Sequence, residues 1–465
     1  MNPRRYFLKT ALGGTAGLIA IPNILSGPLF AADAPNKLIQ VAQIGCGRMG
    51  LEDMGDVLNV RLARVVAVCD LDTKRSAEAK RRIEEFYKKK GETNVQVKVY
   101  SDYRELLADS SIDAVVVSTP DHWHGLVAVE AAIAGKHIYC QKPLTYNIAE
   151  AIALRTAVQA RKVILQTGSQ QRSEHPFSAF RAASEAVLNG RVGKLKSIEI
   201  GVGLDKPKGV AFSAMPVPAN FNYDRWLGPA PQQEYNEFHC HPQDSFKDRP
   251  GWITTEDFGL GMITNWGAHH IDIAQWAMGQ QLGGPSLIDA KAEFMTNDVW
   301  TVHRSYHVEM LYPNDVQVIL DNKYENGLKF IGEEGWIFCT RGAVKVTASD
   351  GDVKDDGKSS LRSSSPALLS PLGSDAKRWM PSKDHKTNWI ESIIANRQPI
   401  APVDQAARSL EACAAAWIGM KLGRKLNWDV ATESFVNDAE ANALRSRKPR
   451  SADYDIQAIL KKAGI

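Results

Sequence analysis

The sequence predicts an α/β fold: a doubly wound parallel sheet followed by an α+β domain with an open, mainly antiparallel sheet. Three observations carry that expectation. Short β-branched runs alternate with amphipathic helical stretches from residue 38 to about 166, a glycine-rich turn opens that alternation at Gly45, and after Arg172 the rhythm changes to consecutive strands. Strands are expected over 38–44, 64–70, 96–100, 113–118, 136–140 and 162–166. The helices between them carry their own punctuation: Asp102 with Glu105 and Asn147 with Glu150 have capping-box spacing, and Gly135 stops a helix. Six strands with five crossovers complete a Rossmann domain, assigned to 38–168. The second domain, 169–430, opens with a helix at 176–189 and continues with strands at 195–203, 287–296, 302–311, 315–320, 327–332, 335–339 and 342–347. Turns as short as Pro313-Asn314 and Asn326-Gly327 imply antiparallel neighbours. Residues 348–383, rich in Ser, Asp, Gly and Pro and lacking periodicity, read as a loop insertion. Helices at 385–396 and 403–422 and a polar C-terminal tail, 431–465, complete the chain.

At 465 residues the chain exceeds one compact core, since cores stop growing near ~250–300 residues. Its 44% hydrophobic and 23% charged residues are ordinary for a globular protein, and a formal charge of +3 leaves no basic footprint for nucleic acid. Residues 1–34 read as a signal peptide. Arg4-Arg5 precede a weakly apolar run over 11–25, and Ala32-Asp33-Ala34 offers a small-residue exit. This resembles a twin-arginine (Tat) signal, with Pro3 where Ser or Thr is commoner, and it predicts export to the periplasm. The alternative is a membrane anchor. A bilayer span needs about 20 apolar residues, and the run is short and interrupted by Gly13, Gly14, Gly17 and Pro22, so no membrane partner is expected. Six cysteines without a C-x-x-C spacing read as packed thiols, and no metal is expected.

The first strand runs into Gly45-Cys46-Gly47-Arg48-Met49-Gly50, a G-x-G-x-x-G motif where a strand hands over to a helix. Small residues there let backbone amides approach a pyrophosphate: Gly45 makes the turn, Gly47 the close approach and Gly50 the helix packing, with Cys46, Arg48 and Met49 in the same loop. The next strand ends at Asp70, 20 residues past Gly50, where a carboxylate holds ribose hydroxyls and repels a 2′-phosphate. NAD is therefore the expected cofactor. Lys74 and Arg75 close behind keep NADP as the lesser reading, and a ligand-free tight turn is the structural alternative.

Two further motifs are Ser118-Thr119-Pro120-Asp121-His122-Trp123-His124 after the fourth strand and Cys140-Gln141-Lys142-Pro143-Leu144 after the fifth. With the glycines they resemble the Gfo/Idh/MocA oxidoreductases, a family that includes glucose–fructose oxidoreductase and inositol dehydrogenase. The resemblance continues more loosely through Arg225-Trp226-Leu227-Gly228-Pro229-Ala230-Pro231, the stretch from Asn265 to Asp272, and Glu334-Gly335. It implies that Thr119, Pro120, His124, Gln141 and Lys142 belong to the cofactor site. It also implies that the open-faced sheets pair in a homo-oligomer.

Open α/β sheets place ligands at the carboxyl ends of their strands, which delivers Lys142 to the nicotinamide crevice on a turn stiffened by Pro143. A partly desolvated ammonium has its pKa pulled toward neutrality and can exchange a proton with a substrate hydroxyl as hydride leaves the same carbon. A solvated surface lysine is the alternative. The family pattern here is Glu-Lys-Pro, and Gln141 removes one anionic partner, which leaves the lysine easier to deprotonate. The family's second motif, Asp-x-Gly-x-His-x-x-Asp, falls on Asn265, Gly267, His269 and Asp272. An amide cannot take a hydroxyl proton, so acid–base work falls to Lys142 and His269. Asp272 either orients that imidazole or caps and packs its helix. Gln170 and Arg172 either hold substrate oxygens or bridge the domains. His239 and His241, two apart, share one face if they lie on a strand, and are read as substrate contacts or surface histidines in preference to a metal pair. Trp226, Trp252 and Trp266 stack on a sugar ring or pack in the core.

Export constrains the mechanism, because outside the inner membrane there is no free nicotinamide pool. The expected function is an exported oxidoreductase that acts on a sugar or glycoside hydroxyl and transfers hydride to a tightly bound NAD. One alternative is an NAD-dependent glycosidase or lyase working by transient oxidation and elimination. The other is a non-catalytic dinucleotide-binding module. The expected partner is a small-molecule sugar or glycoside.

Overall fold

Six strands make the first sheet: β1 (Ile39–Ile44), β2 (Ala63–Cys69), β3 (Lys98–Tyr100), β4 (Ala114–Val117), β5 (His137–Cys140) and β6 (Leu165–Thr167). They are seen in a computed structural model that describes residues 38–342 and 359–465. The expected signal peptide lies outside the described residues, as do the expected strand at 342–347, Gly342 apart, and the first part of the 348–383 insertion. All pairings in this sheet are parallel and the order is β3-β2-β1-β4-β5-β6, the doubly wound arrangement. Its central strands are apolar throughout because helices cover both faces; all four residues of β4 are buried. The crossover helices begin where capping predicts. Asp102 accepts from the Arg104 amide and Asn147 from the Glu150 amide, and Asp72 does the same for the Lys74 amide. Because β1 sits between β2 and β4, the chain leaves its carboxyl end at the point where the strand order reverses, and a crevice opens there.

The second sheet holds β7 (Leu195–Gly201), β8 (Leu287–Phe294), β9 (His303–Leu311), β10 (Gln317–Asp321), β11 (Gly327–Gly332), β12 (Gly335–Cys339), β13 (Leu361–Ser363), β14 (Leu426–Asp429) and β15 (Ser434–Phe435). The order is β13-β12-β11-β7-β10-β9-β8-β14-β15, antiparallel except where β7 runs parallel to β10. Helices Ser178–Leu188, Gly267–Ala277 and Val403–Leu422 pack on one face, where Phe180, Ile271 and Ala415 meet Ile198, Val308 and Phe330 in one core. The other face leaves alternate residues of β8 and β9 partly or fully exposed. Helix Val403–Leu422 also sends Val403, Ala407 and Leu410 into the first sheet's core, so one rod braces both sheets.

Two segments carry more structure than expected. The described part of the insertion contributes β13 and the 3-10 turn Pro366–Leu369. The tail read as polar includes β15 and helices Ala439–Ala443 and Ile456–Lys462, and Leu460 packs into the first core. No helix among the described residues is long and apolar enough to cross a membrane. All six cysteines are buried thiols.

Candidate active site

The glycine motif lines a cleft at the carboxyl edge of the parallel sheet. Gly45 leaves β1 with φ 83°, and a Cβ there would lie 2.6 Å from Ser118 O; a Cβ on Gly50 would lie 1.9 Å from Gly45 O. Both positions therefore exclude a side chain for steric reasons. Gly47 is open, its nearest neighbour Arg75 Nη1 at 3.8 Å from such a Cβ, so it keeps backbone accessible from the cleft. Helix Arg48–Leu58 starts there with no side-chain cap and no acidic residue in its first turn, which leaves its free amides and positive dipole end facing a ligand. Arg48 and Met49 line the cleft, whereas Cys46 contributes its backbone and buries its thiol. Asp70 Oδ2 accepts from the Cys46 amide at 2.6 Å and Oδ1 from the Asp72 amide at 2.8 Å, fixing the carboxylate at the cleft wall. Arg75 is held at Pro242 O, 2.7 Å away, beside Asp72 and over the Phe246 ring. The open Gly47, the uncapped helix and the fixed Asp70 fit a dinucleotide, with Gly45–Met49 at its phosphates and Asp70 at its ribose.

Thr119 and Pro120 form the wall above β4, where Thr119 Oγ1 is buried without a partner. His124 reaches Pro143 O at 2.7 Å and Thr119 O at 2.9 Å, tying the turn after β4 to the one that carries Lys142. Burial pushes its pKa down to about 4. Trp123, Arg225 and Tyr454 also line the cleft, Trp123 against Tyr103 and Arg225 on Asp102, both just after β3. Tyr454 comes from the C-terminal tail, which Arg447 fastens to His122 O and Asp257 O, and Arg450 to Asp224 and Gly228 O. Nothing in the tail's composition signalled a place in the site; its basic residues, which look solvated, are the staples.

Lys142 lines this cleft, its Nζ donating to Asn265 O at 2.9 Å. Burial pushes the ammonium's pKa down, the charges of Arg341, Arg249 and Arg48 act in the same direction, and Asp121 opposes them. Asn265 lines the cleft and its Oδ1 is buried without a partner. Gln141 turns its amide to a second buried acid. Its Nε2 donates to both oxygens of Asp53 at 2.9 Å, and Asp53 also receives Lys386 Nζ at 2.5 Å and Ser118 Oγ at 2.7 Å. A carboxylate at 141 would face Asp53, so the amide satisfies a buried acid. The anion that acts on Lys142 is Asp121.

The remaining candidates part company. His269 sits in the turn of helix that follows Asn265. It is buried and off the cleft lining, with Nδ1 unpartnered, and burial plus the charges of Arg341 and Lys142 holds it well below the ordinary histidine range. Asp272 and Arg172, read as catalytic and substrate-binding, pair with each other: Nε to Oδ2 and Nη2 to Oδ1, both 2.6 Å, with Ser409 Oγ donating to Oδ1 at 2.9 Å. Arg172 is 1% exposed and does not line the cleft. Gln170, half-buried on the 3-10 turn Gln170–Arg172, is also off the lining. Trp266 is buried with the Arg341 guanidinium 4.4 Å over its ring, which leaves that face closed to a sugar; Trp226 and Trp252 do line the cleft. His239 ends a 3-10 turn instead of lying on a strand, so the two histidines part: His239 Nε2 goes to Val299 O at 2.5 Å, and His241 Nε2 to Asp72 Oδ2 at 3.0 Å by the Asp70 end. Among the described residues no group of three or more His, Cys, Asp or Glu is placed to hold a metal.

Residues 39–169 match a family described as an oxidoreductase family with an NAD-binding Rossmann fold, and residues 208–346 match that family's C-terminal alpha/beta domain. The chain is 30% identical over 156 residues to myo-inositol 2-dehydrogenase of Thermotoga maritima, covering 34% of this chain and 42% of that protein. It is 30% identical over 166 residues to an alpha-N-acetylgalactosaminidase of Shewanella oneidensis, covering 32% and 35%. The chain thus spans less than half the length of either relative. Its fold is similar to the WlbA dehydrogenase of Bordetella pertussis, solved with NADH and UDP-GlcNAcA, with a TM-score of 0.58 at 16% identity over 85% of this chain and 99% of that one.

Proposed function

The chain belongs to the Gfo/Idh/MocA family of NAD-binding oxidoreductases, and on that premise we propose that it is an exported enzyme oxidising a hydroxyl of a sugar or glycoside with a tightly held NAD. The observation that carries the proposal is Lys142: a half-buried side chain whose ammonium is desolvated and pushed toward neutrality, in the same cleft as the Gly45–Met49 loop. NAD, when bound, supplies the ring carbon that accepts a hydride. Lys142 takes the hydroxyl proton, which a lysine held near its ordinary pKa would do only in alkali. Asn265 orients the hydroxyl through its unpartnered Oδ1. Thr119 and His124 hold the Lys142 turn in register with the wall above β4.

Retention of the cofactor is supported by the segments that join the Rossmann loops in lining the cleft: Pro242, Asp248, Pro250 and Trp252 from the second domain and Tyr454 from the tail. An exported enzyme needs such retention, since it must reoxidise its NAD in place. Export itself rests on Arg4-Arg5 and the run that follows, and fusing residues 1–34 to a reporter tests it. The open face of the second sheet supports a homo-oligomer.

A second reading is favoured by the glycosidase relative: transient oxidation acidifies the neighbouring C–H, elimination breaks the glycosidic bond, and the hydride returns. Supplying p-nitrophenyl glycosides without an electron acceptor separates the two, because nitrophenol appears only if elimination follows oxidation. Lys142→Met should abolish either chemistry while NAD stays bound. Turnover in that variant would remove Lys142 from the mechanism, and an absence of bound dinucleotide would leave a non-catalytic module.

A further inference from the structure

The two side chains that flank Lys142, Gln141 and Asn265, are amides, and neither can hold a proton. Asp121 lines the same cleft. It opens helix Asp121–Ile133 directly after Pro120 and is 3% exposed. A first-turn aspartate that serves only its helix dipole works equally well in water. Asp121 instead is buried, and among the described residues its carboxylate makes no hydrogen bond and no direct ion pair. The loop from the second domain passes so closely that a Cβ on Gly259 would lie 3.3 Å from Asp121 Oδ2. Burying a carboxylate unpaired is costly, and the cost is rational where a ligand completes its shell. The charged groups that face it are Lys142 and Arg249; Arg341 and Arg48 act on Lys142 from the other sides, and His124 and His269 nearby are neutral.

We propose that Asp121 is the second acid–base group of the site and shares the proton of the reacting hydroxyl with Lys142 across a gap that the substrate fills. The inference rests on the redox reading above. The substrate O–H bond breaks and its proton passes to the Lys142–Asp121 pair. The carbinol C–H bond breaks with its electron pair, which leaves as hydride to the nicotinamide of NAD, and a C=O bond forms. On return of the hydride the same pair gives the proton back. Burial raises the carboxyl's pKa while it lowers the ammonium's, so the two groups are brought to comparable proton affinity.

The test uses the NAD-loaded protein. Trace acetic anhydride labelling across pH, with the Lys142 peptide quantified by mass spectrometry, gives the midpoint at which Lys142 loses its proton. In Asp121→Asn that midpoint should fall by roughly one unit or more, because the anion that stabilises the ammonium is gone, and Asp121→Glu should restore most of it. NAD content should not change. With a reactive sugar or glycoside, Asp121→Asn should slow reduction of the bound NAD roughly 100-fold or more, through kcat rather than KM, with the acid limb moving to lower pH. If Asp121→Asn does not accumulate loaded, Asp121→Ser carries the same measurement. An unchanged midpoint overturns the pairing, and a lowered midpoint with undiminished hydride transfer overturns the proton-sharing role. If wild type reduces its NAD with no sugar at all, the proposed function fails while the labelling still judges the pair.

Discussion

Asp272→Ala removes one half of a buried ion pair, and its cost can be worked from the contacts. Arg172 donates Nε and Nη2 to the two carboxylate oxygens at 2.6 Å, and the residues are 1% and 2% exposed. The remaining partners of the guanidinium, Ile400 O at 3.1 Å and the Gln405 side chain, are neutral and do not replace the lost charge. Leaving one buried charge uncompensated costs about 3–5 kcal/mol. That is a large share of the roughly 5–15 kcal/mol by which domains are stable. Urea unfolding followed by tryptophan fluorescence is the assay, and Trp276, whose ring lies 5.4 Å from the Arg172 guanidinium, reports from beside the change. The midpoint should drop by the equivalent of that cost. Arg172→Met with Asp272→Leu should recover most of it, because a matched apolar pair leaves no orphan charge. NAD per folded chain should stay constant, since neither residue lines the cleft. A midpoint within about 1 kcal/mol of wild type, or lost activity at full stability, would refute the structural assignment and return Asp272 to the catalytic set.

Gln141→Glu should destabilise by about 1.5–3 kcal/mol near neutral pH, as it trades two bonds to Asp53 for a facing carboxylate. The new carboxyl's folded pKa is raised, so the folded state holds its proton longer. The deficit should be small near pH ~4 and grow as pH rises, as urea midpoints at about pH 4.5 and 8 will show. Gly45→Ala should fold, by circular dichroism, yet lose its NAD, because φ 83° and the 2.6 Å approach to Ser118 O displace the phosphate loop. Tyr454→Ala should release NAD roughly 5–100-fold faster on dilution if the ring stacks on the adenine, a loss of about 1–3 kcal/mol.

The parallel sheet was legible because its strands are continuous apolar runs separated by capped helices, and helix Val403–Leu422 falls on the expected residues. The tail and β13 were not, since short elements with few apolar residues owe their structure to the surfaces they pack on. In the site, Gly45, Asp70 and Lys142 were readable from their places at strand ends. The pairing of Arg172 with Asp272 was not, because the partners are distant in sequence and each resembled a ligand-binding residue. The two-residue spacing of His239 and His241 misled because His239 ends a 3-10 turn that His241 lies beyond, and their partners, Val299 and Asp72, arrive from elsewhere. Asp121 stood in a motif already singled out, but at a helix start an acidic residue looks ordinary until its burial is known.

The most direct measurement is the dinucleotide released when the purified protein is denatured without added cofactor, separated by chromatography and counted against chains. A cleft lined by the second domain and the tail as well as by the Rossmann loops should yield close to one NAD per chain that survives extensive dialysis. Empty protein, or bound NADP in its place, would contradict the account.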